Sequence, residues 1–157
     1  MSPQVDIRSA TRADVPVLVT LVEQYWKFEA IEGFDAARIT MLFDRVAAQP
    51  SLGQAWIATV DGTPAGYLFA VFVFSLEYQG LTAEIDELYV MPQYRGLGLG
   101  TKLLTNAEDA FRQGGCTVAF LQIGRDNDDA RTFYRRHGYA DRAGFELVDK
   151  KLQAHTA

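Results

Sequence analysis

Tyr94-Arg95-Gly96-Leu97-Gly98-Leu99-Gly100-Thr101 places three glycines at alternate positions ahead of a helical run, Leu99 to Phe111. A glycine-rich turn at a helix start gathers unpaired backbone N–H groups at the positive end of the helix, so its chemistry is anion binding, most often of phosphate. Two familiar phosphate loops do not fit. A P-loop needs lysine directly after its last glycine, and here Thr101 intervenes before Lys102. A dinucleotide turn needs a wider glycine spacing and an acid downstream, whereas the matching downstream run is Ala119-Phe120-Leu121. Just before the loop, the strand-like stretch Ala83 to Met91 carries Glu84, Asp86 and Glu87, three groups able to take a proton. Regular alternation puts Glu84 and Asp86 on one face and Glu87 on the other, an order that a bulge would reshuffle.

A second constellation lies downstream, Asn127-Asp128-Asp129-Ala130-Arg131-Thr132-Phe133-Tyr134, followed by His137-Gly138-Tyr139. Asn127 or Asp128 suits a helix cap, Ala130 and Phe133 share an inward face, and Gly138 suits the helix end. On its own the Tyr134 phenol reads as an amphipathic packing anchor with a hydrogen-bonded hydroxyl.

Gln93, Gly96 and Gly98 match Q-x-x-G-x-G, and Asn127, Ala130, Phe133 and Tyr134 match N-x-x-A-x-x-F-Y. In this order the two motifs resemble those of the GCN5-related N-acetyltransferases. The resemblance implies acetyl-CoA as acyl donor. Its pyrophosphate would meet backbone N–H groups over Gly96, Leu97, Gly98, Gly100 and Thr101, with charge from Arg95 and the Thr101 hydroxyl. Leu88 and Val90 would pair through their backbones with the pantetheine arm, and Asn127 also belongs with the donor-binding residues. Tyr134 would protonate the departing thiolate, a phenol of pKa about 10 serving a thiol of about 8.5.

The base is open between Glu84, its position in histone-type enzymes, and Asp86, its position in polyamine-type enzymes, where it acts through water. Glu87 is the third candidate. The resemblance also places acceptor recognition between the first two helices, where Phe28, Glu29 and Glu32 would hold a cationic amine by charge and cation–π contact. The alternative is that the aromatics there pack into the core while the acids face water.

Read this way, the chain is an N-acetyltransferase that acts by direct transfer in a ternary complex. Its acceptor is a small primary amine of the polyamine, amino acid or aminoglycoside type. The alternatives are acetylation of a protein N-terminus or lysine and, in another class, a non-catalytic acyl-CoA-binding module. Cys116, just before an apolar strand, reads as a buried, inert thiol rather than a covalent relay. No metal is expected, because Cys116, His137 and His155 do not form a ligand set.

The remaining bounds agree. A chain of 157 residues is expected to form one domain, 1–157, and 48% apolar residues supply its core. A net charge of −5 argues against nucleic acid as a partner. The apolar run Tyr67 to Phe74 is too short to cross a bilayer, so the expectation is a cytoplasmic protein with no membrane partner. Strands are expected at Val5–Arg8, Ala55–Val60, Ala65–Ser75, Ala83–Met91 and Thr117–Ile123, with final ones at Tyr139–Ala140 and Phe145–Leu152. The Ala65 strand reads as covered on both faces through Phe74, and the Thr117 strand as buried. Helices are expected at Val15–Phe28, Asp35–Ala48 and Leu99–Phe111, with a short one carrying Tyr134. The resemblance implies an α/β (α+β) fold, a mixed, mostly antiparallel sheet of six to seven strands with about four helices, splayed between the fourth and fifth strands. It leaves room for a homodimer through Phe145–Leu152.

Overall fold

Five strands form one sheet in chain order: β1 (Val5–Ser9), β2 (Gly53–Val60), β3 (Thr63–Ser75), β4 (Gly80–Val90) and β5 (Val118–Leu121). The computed structural model describes residues 1–153 and divides into two units, 1–122 and the segment from Ile123 onward. Within the first unit, β1 to β4 pair antiparallel and β5 joins β4 in parallel. A parallel neighbour requires a crossover, and α3 (Leu99–Gln113) provides it.

The two sheet faces carry different helices. On one, Leu18, Leu21 and Val22 of α1 (Val15–Phe28) and Phe43 of α2 (Ala36–Ala48) cluster with Ala55, Ile57, Tyr67 and Tyr89. On the other, Phe111 of α3 meets Trp56 and Phe72 edge to face, above a helix stripe of Leu99, Leu103, Leu104 and Ala107. Asp35 caps α2 by accepting from the Arg38 N–H at 3.1 Å. Before α1, Asp14 accepts from both Arg8 guanidinium nitrogens at 2.7 Å and from the Thr11 N–H at 2.7 Å, which fastens β1 to the helix start.

The described segment of the second unit contains α4 (Asp128–Arg136), capped by Asn127, whose side chain accepts from the Ala130 N–H at 3.1 Å. Tyr134 is buried, with ring contacts to Phe133 and Tyr139. His137 packs its ring 4.8 Å from that of Phe133, and His155 lies outside the described residues.

Several expectations need correction. No strand forms at Tyr139–Ala140 or Phe145–Leu152, so the described sheet has five strands rather than six or seven. Phe145, Leu147, Val148 and Leu152 are exposed: apolar alternation without a hydrogen-bonding neighbour does not make a strand. β5 spans Val118–Leu121 and is half-buried rather than buried. β3 is covered only to Ala70, and its Phe74 emerges 74% exposed.

Candidate active site

β4 carries an irregularity that sets the site. Ala70 pairs with Ile85 and Phe69 with Glu87, so Asp86 is an extra residue with no partner on β3. Because Glu84 stands opposite Val71 and Glu87 opposite Phe69, both turn to the α1–α2 face. The expected division, with Glu87 on the opposite face from Glu84, is therefore overturned by one inserted residue.

The same register exposes backbone. Met91 donates to the Ala65 carbonyl at 2.8 Å, and antiparallel alternation then turns the main-chain groups of Leu88 and Val90 away from β3. β5 pairs with β4 only from Thr82 to Ile85, so along Leu88 and Val90 no strand among the described residues pairs on that side. This is the splay expected between the fourth and fifth strands.

Pro92 stops β4, and a single 3₁₀ turn, Pro92–Tyr94, leads to the glycines. Gly96 (φ 84°) and Gly98 (φ 76°) are left-handed with open space where a Cβ would sit, so conformation and not crowding selects glycine there. The Lys102 N–H bonds the Gly98 carbonyl at 3.1 Å, which makes Leu99, Gly100 and Thr101 the first turn of α3, at its positive end. Buried Leu99 anchors the turn while Leu97 faces outward. Arg95 is turned back toward α1: its Nε donates to the Val90 carbonyl at 3.1 Å and its guanidinium lies 4.6 Å from the Phe28 ring centroid.

The end of α1 supplies an aromatic wall. Tyr25 contacts Tyr67 and Tyr89, and Phe28, 55% exposed, also contacts Tyr89. Glu29 and Glu32 are exposed. Glu84 accepts from the Gln122 amide at 3.1 Å. Glu87 accepts from the Trp26 indole N–H and from the Tyr67 hydroxyl, both at 2.8 Å. Trp26, Tyr67, Tyr25 and Gln122 were not singled out by motif, although the aromatic run at the end of α1 was visible.

Asp86 and Glu87 share an electrostatic signature. Desolvation in the surrounding wall, then the charge of Glu84, raises the Asp86 pKa although its surface is exposed. Burial raises Glu87 against the opposing pull of its two donors, with the Asp86 charge adding to the rise. Tyr25, within reach of Glu29, Glu87 and Asp86, is pushed up to about 12, chiefly by burial. Burial also raises the half-buried Cys116 thiol, which lowers its thiolate fraction. Among the described residues, no group of three His, Cys, Asp or Glu side chains is placed to hold a metal, and no helix is long and apolar enough to cross a membrane.

Comparison with known proteins gives this arrangement its class. Residues 18–139 match the model of the Acetyltransferase (GNAT) family. The aminoalkylphosphonate N-acetyltransferase of Salmonella typhimurium is 30% identical over 138 residues, which cover 87% of this chain and 86% of that protein. The spermidine N(1)-acetyltransferase of Thermoplasma acidophilum is 24% identical over 161 residues, covering 94% and 96%. The crystal structure of a predicted acetyltransferase with acetyl-CoA from Clostridium acetobutylicum superposes with a TM-score of 0.79 at 20% identity, covering 93% of this chain and 96% of that one. The chain belongs to the GNAT acetyltransferase family. It is an acetyl-CoA-dependent N-acetyltransferase.

Proposed function

We propose that the protein acetylates a small primary amine, held on the α1–α2 face beside the β4 bulge, by direct transfer from acetyl-CoA. The observation that carries this reading is the bulge itself. It turns Glu84 and Glu87 to one face, with Asp86 as the inserted residue between them, next to a stretch of β4 whose Leu88 and Val90 backbone groups pair with no strand among the described residues.

Those backbone groups suit the amides of a pantetheine arm, and the N–H groups from Gly96 to Thr101 suit a pyrophosphate. The bound thioester supplies the activated acetyl group. The protein's own part is to bring a neutral amine to it and to manage two protons. Asp86 or Glu84 takes the proton from the incoming ammonium, directly or through water, with a pKa raised toward working pH in the case of Asp86. Tyr134, at the tyrosine position of the family motif, returns a proton to the departing thiolate. Phe28, Glu29 and Glu32 line the approach at the end of α1 and suit a cation. A small-molecule acceptor is supported by the relatives, whose names specify an aminoalkylphosphonate and spermidine.

Release of free thiol from acetyl-CoA across polyamines, amino acids, aminoglycosides, aminoalkylphosphonates and peptides tests the reading. Turnover confined to peptides would replace it with protein acetylation. Tyr134→Phe is expected to lower kcat about 100-fold at nearly unchanged acetyl-CoA affinity. Unchanged turnover would return Tyr134 to a packing role.

A further inference from the structure

Glu87 is held more tightly than a proton carrier should be. Its Oε2 accepts from Trp26 of α1 and its Oε1 from Tyr67 of β3, both at 2.8 Å. Three elements distant in sequence thus meet on one carboxylate immediately after the bulge residue. The direction of both bonds is fixed. An indole N–H only donates, and Tyr67 is fully buried beside the Glu87 charge, which keeps its phenol protonated. Protonating either oxygen of Glu87 would weaken one of these bonds, so a base that must gain and lose a proton at every turnover is poorly placed here. Asp86, one residue earlier, is exposed and not tied in this way.

We propose that Glu87 is a positioning residue: it clasps α1 and β3 to the β4 bulge and thereby sets the aromatic wall against which the acceptor amine is placed. The wall follows from the clasp because Tyr25 and Phe28 flank Trp26 on α1 and pack on Tyr89 of β4. The charged and titratable groups facing Glu87 are Tyr25 from α1, Tyr67 from β3 and Asp86 from β4, with Glu29 just past α1 acting on Tyr25 and Glu84 acting on Asp86. This inference rests on the acetyl-transfer reading above and assigns the proton relay to Asp86 or Glu84.

The test compares Glu87→Gln with Glu87→Ala, following pH profiles and separate KM values for amine and acetyl-CoA. The glutamine amide oxygen still accepts from Trp26, and its N–H₂ donates to a Tyr67 hydroxyl that has rotated. The clasp is thus kept without its charge. Glu87→Gln is expected to retain kcat/KM within about tenfold and to keep the acidic limb of the pH profile. Glu87→Ala leaves both donors unpaired and is expected to raise the amine KM at least tenfold at unchanged acetyl-CoA KM. Loss of the acidic limb in Glu87→Gln, or an equal loss in both variants, makes Glu87 the base and overturns the proposal.

Should Glu87→Ala fail to fold, Trp26→Phe and Tyr67→Phe each remove one donor while keeping a ring. Both are expected to raise the amine KM, and wild-type values for both overturn the clasp. A wild type that releases no thiol with any amine overturns the acetyl-transfer reading and this inference with it, whereas an active wild type with a limbless Glu87→Gln overturns this inference alone.

Discussion

Two places in the first unit concentrate carboxylate chemistry, and they shift it in opposite directions. At the start of α1, Asp14 meets a cation. Hydrogen bonds from Arg8 outweigh burial and hold its carboxyl well below the usual range, with the Thr11 N–H adding to the effect. At the β4 bulge, Glu84, Asp86 and Glu87 meet one another and aromatic walls, and both Asp86 and Glu87 are pushed up. A carboxylate whose charge is satisfied fixes a helix start. One whose charge is crowded and not clasped by donors, as at Asp86, is suited to exchanging a proton, whereas Glu87 shares the shift but is tied to Trp26 and Tyr67. The contrast separates a residue that serves stability from residues suited to catalysis.

The sharpest break of this comparison is expected in rate. Asp86→Asn or Glu84→Gln, whichever removes the proton relay, should lower kcat/KM for the amine about 100-fold and erase the acidic limb of its pH profile. If thiol-release assays find both variants within a few-fold of wild type, the crowded carboxylates are not the relay.

Next in size is stability at the other site. Asp14→Ala removes a bidentate ion pair and a cap while leaving the bulge untouched. A loss of about 1–2 kcal/mol is expected, read as a Tm lower by about 2–6 °C, with kcat unchanged.

The pH dependence sharpens this further. A depressed folded-state pKa means that Asp14 stabilises fully above its ordinary value near 3.8 and loses that contribution as pH falls below it. The Tm gap between wild type and Asp14→Ala should therefore be complete at pH 6 and shrink below pH 4 in a calorimetric series. A gap that persists unchanged into acid would mean that Arg8 and Asp14 contribute by packing alone.

The smallest effect has the opposite sign. A raised folded-state pKa means that ionised Asp86 costs stability, increasingly as pH climbs from its unfolded to its folded value, and fully above that. Asp86→Asn should raise Tm slightly at neutral pH and leave it unchanged in acid. A fall in Tm at neutral pH would show that the Asp86 charge is satisfied in the fold.

Most of the framework was legible because its signals are local. The Asn127 cap, one of the two caps read there, the stop at Pro92 and the glycines at 96 and 98 each act over a few residues, and the structure places them as read. What escaped depends on partners far along the chain. The Trp26–Glu87 bond joins residues 61 apart, and the bulge at Asp86 exists only as a mismatch between β3 and β4. Phe145–Leu152 looked like a strand for the same reason in reverse. Its pattern is a local property, but a strand needs a neighbour, and in the described structure none hydrogen-bonds to it.

The inserted position of Asp86 has a consequence for how this chain can change. Ile85 and Glu87 already face consecutive residues of β3, Ala70 and Phe69. A chain one residue shorter, lacking only Asp86, could close the ladder without moving any other β4 side chain to the wrong face. The sheet does not need that residue, so the identity at position 86 is free of the packing constraints that bind its neighbours. Substitution at position 86 can therefore change the chemistry of the site at little risk to the sheet.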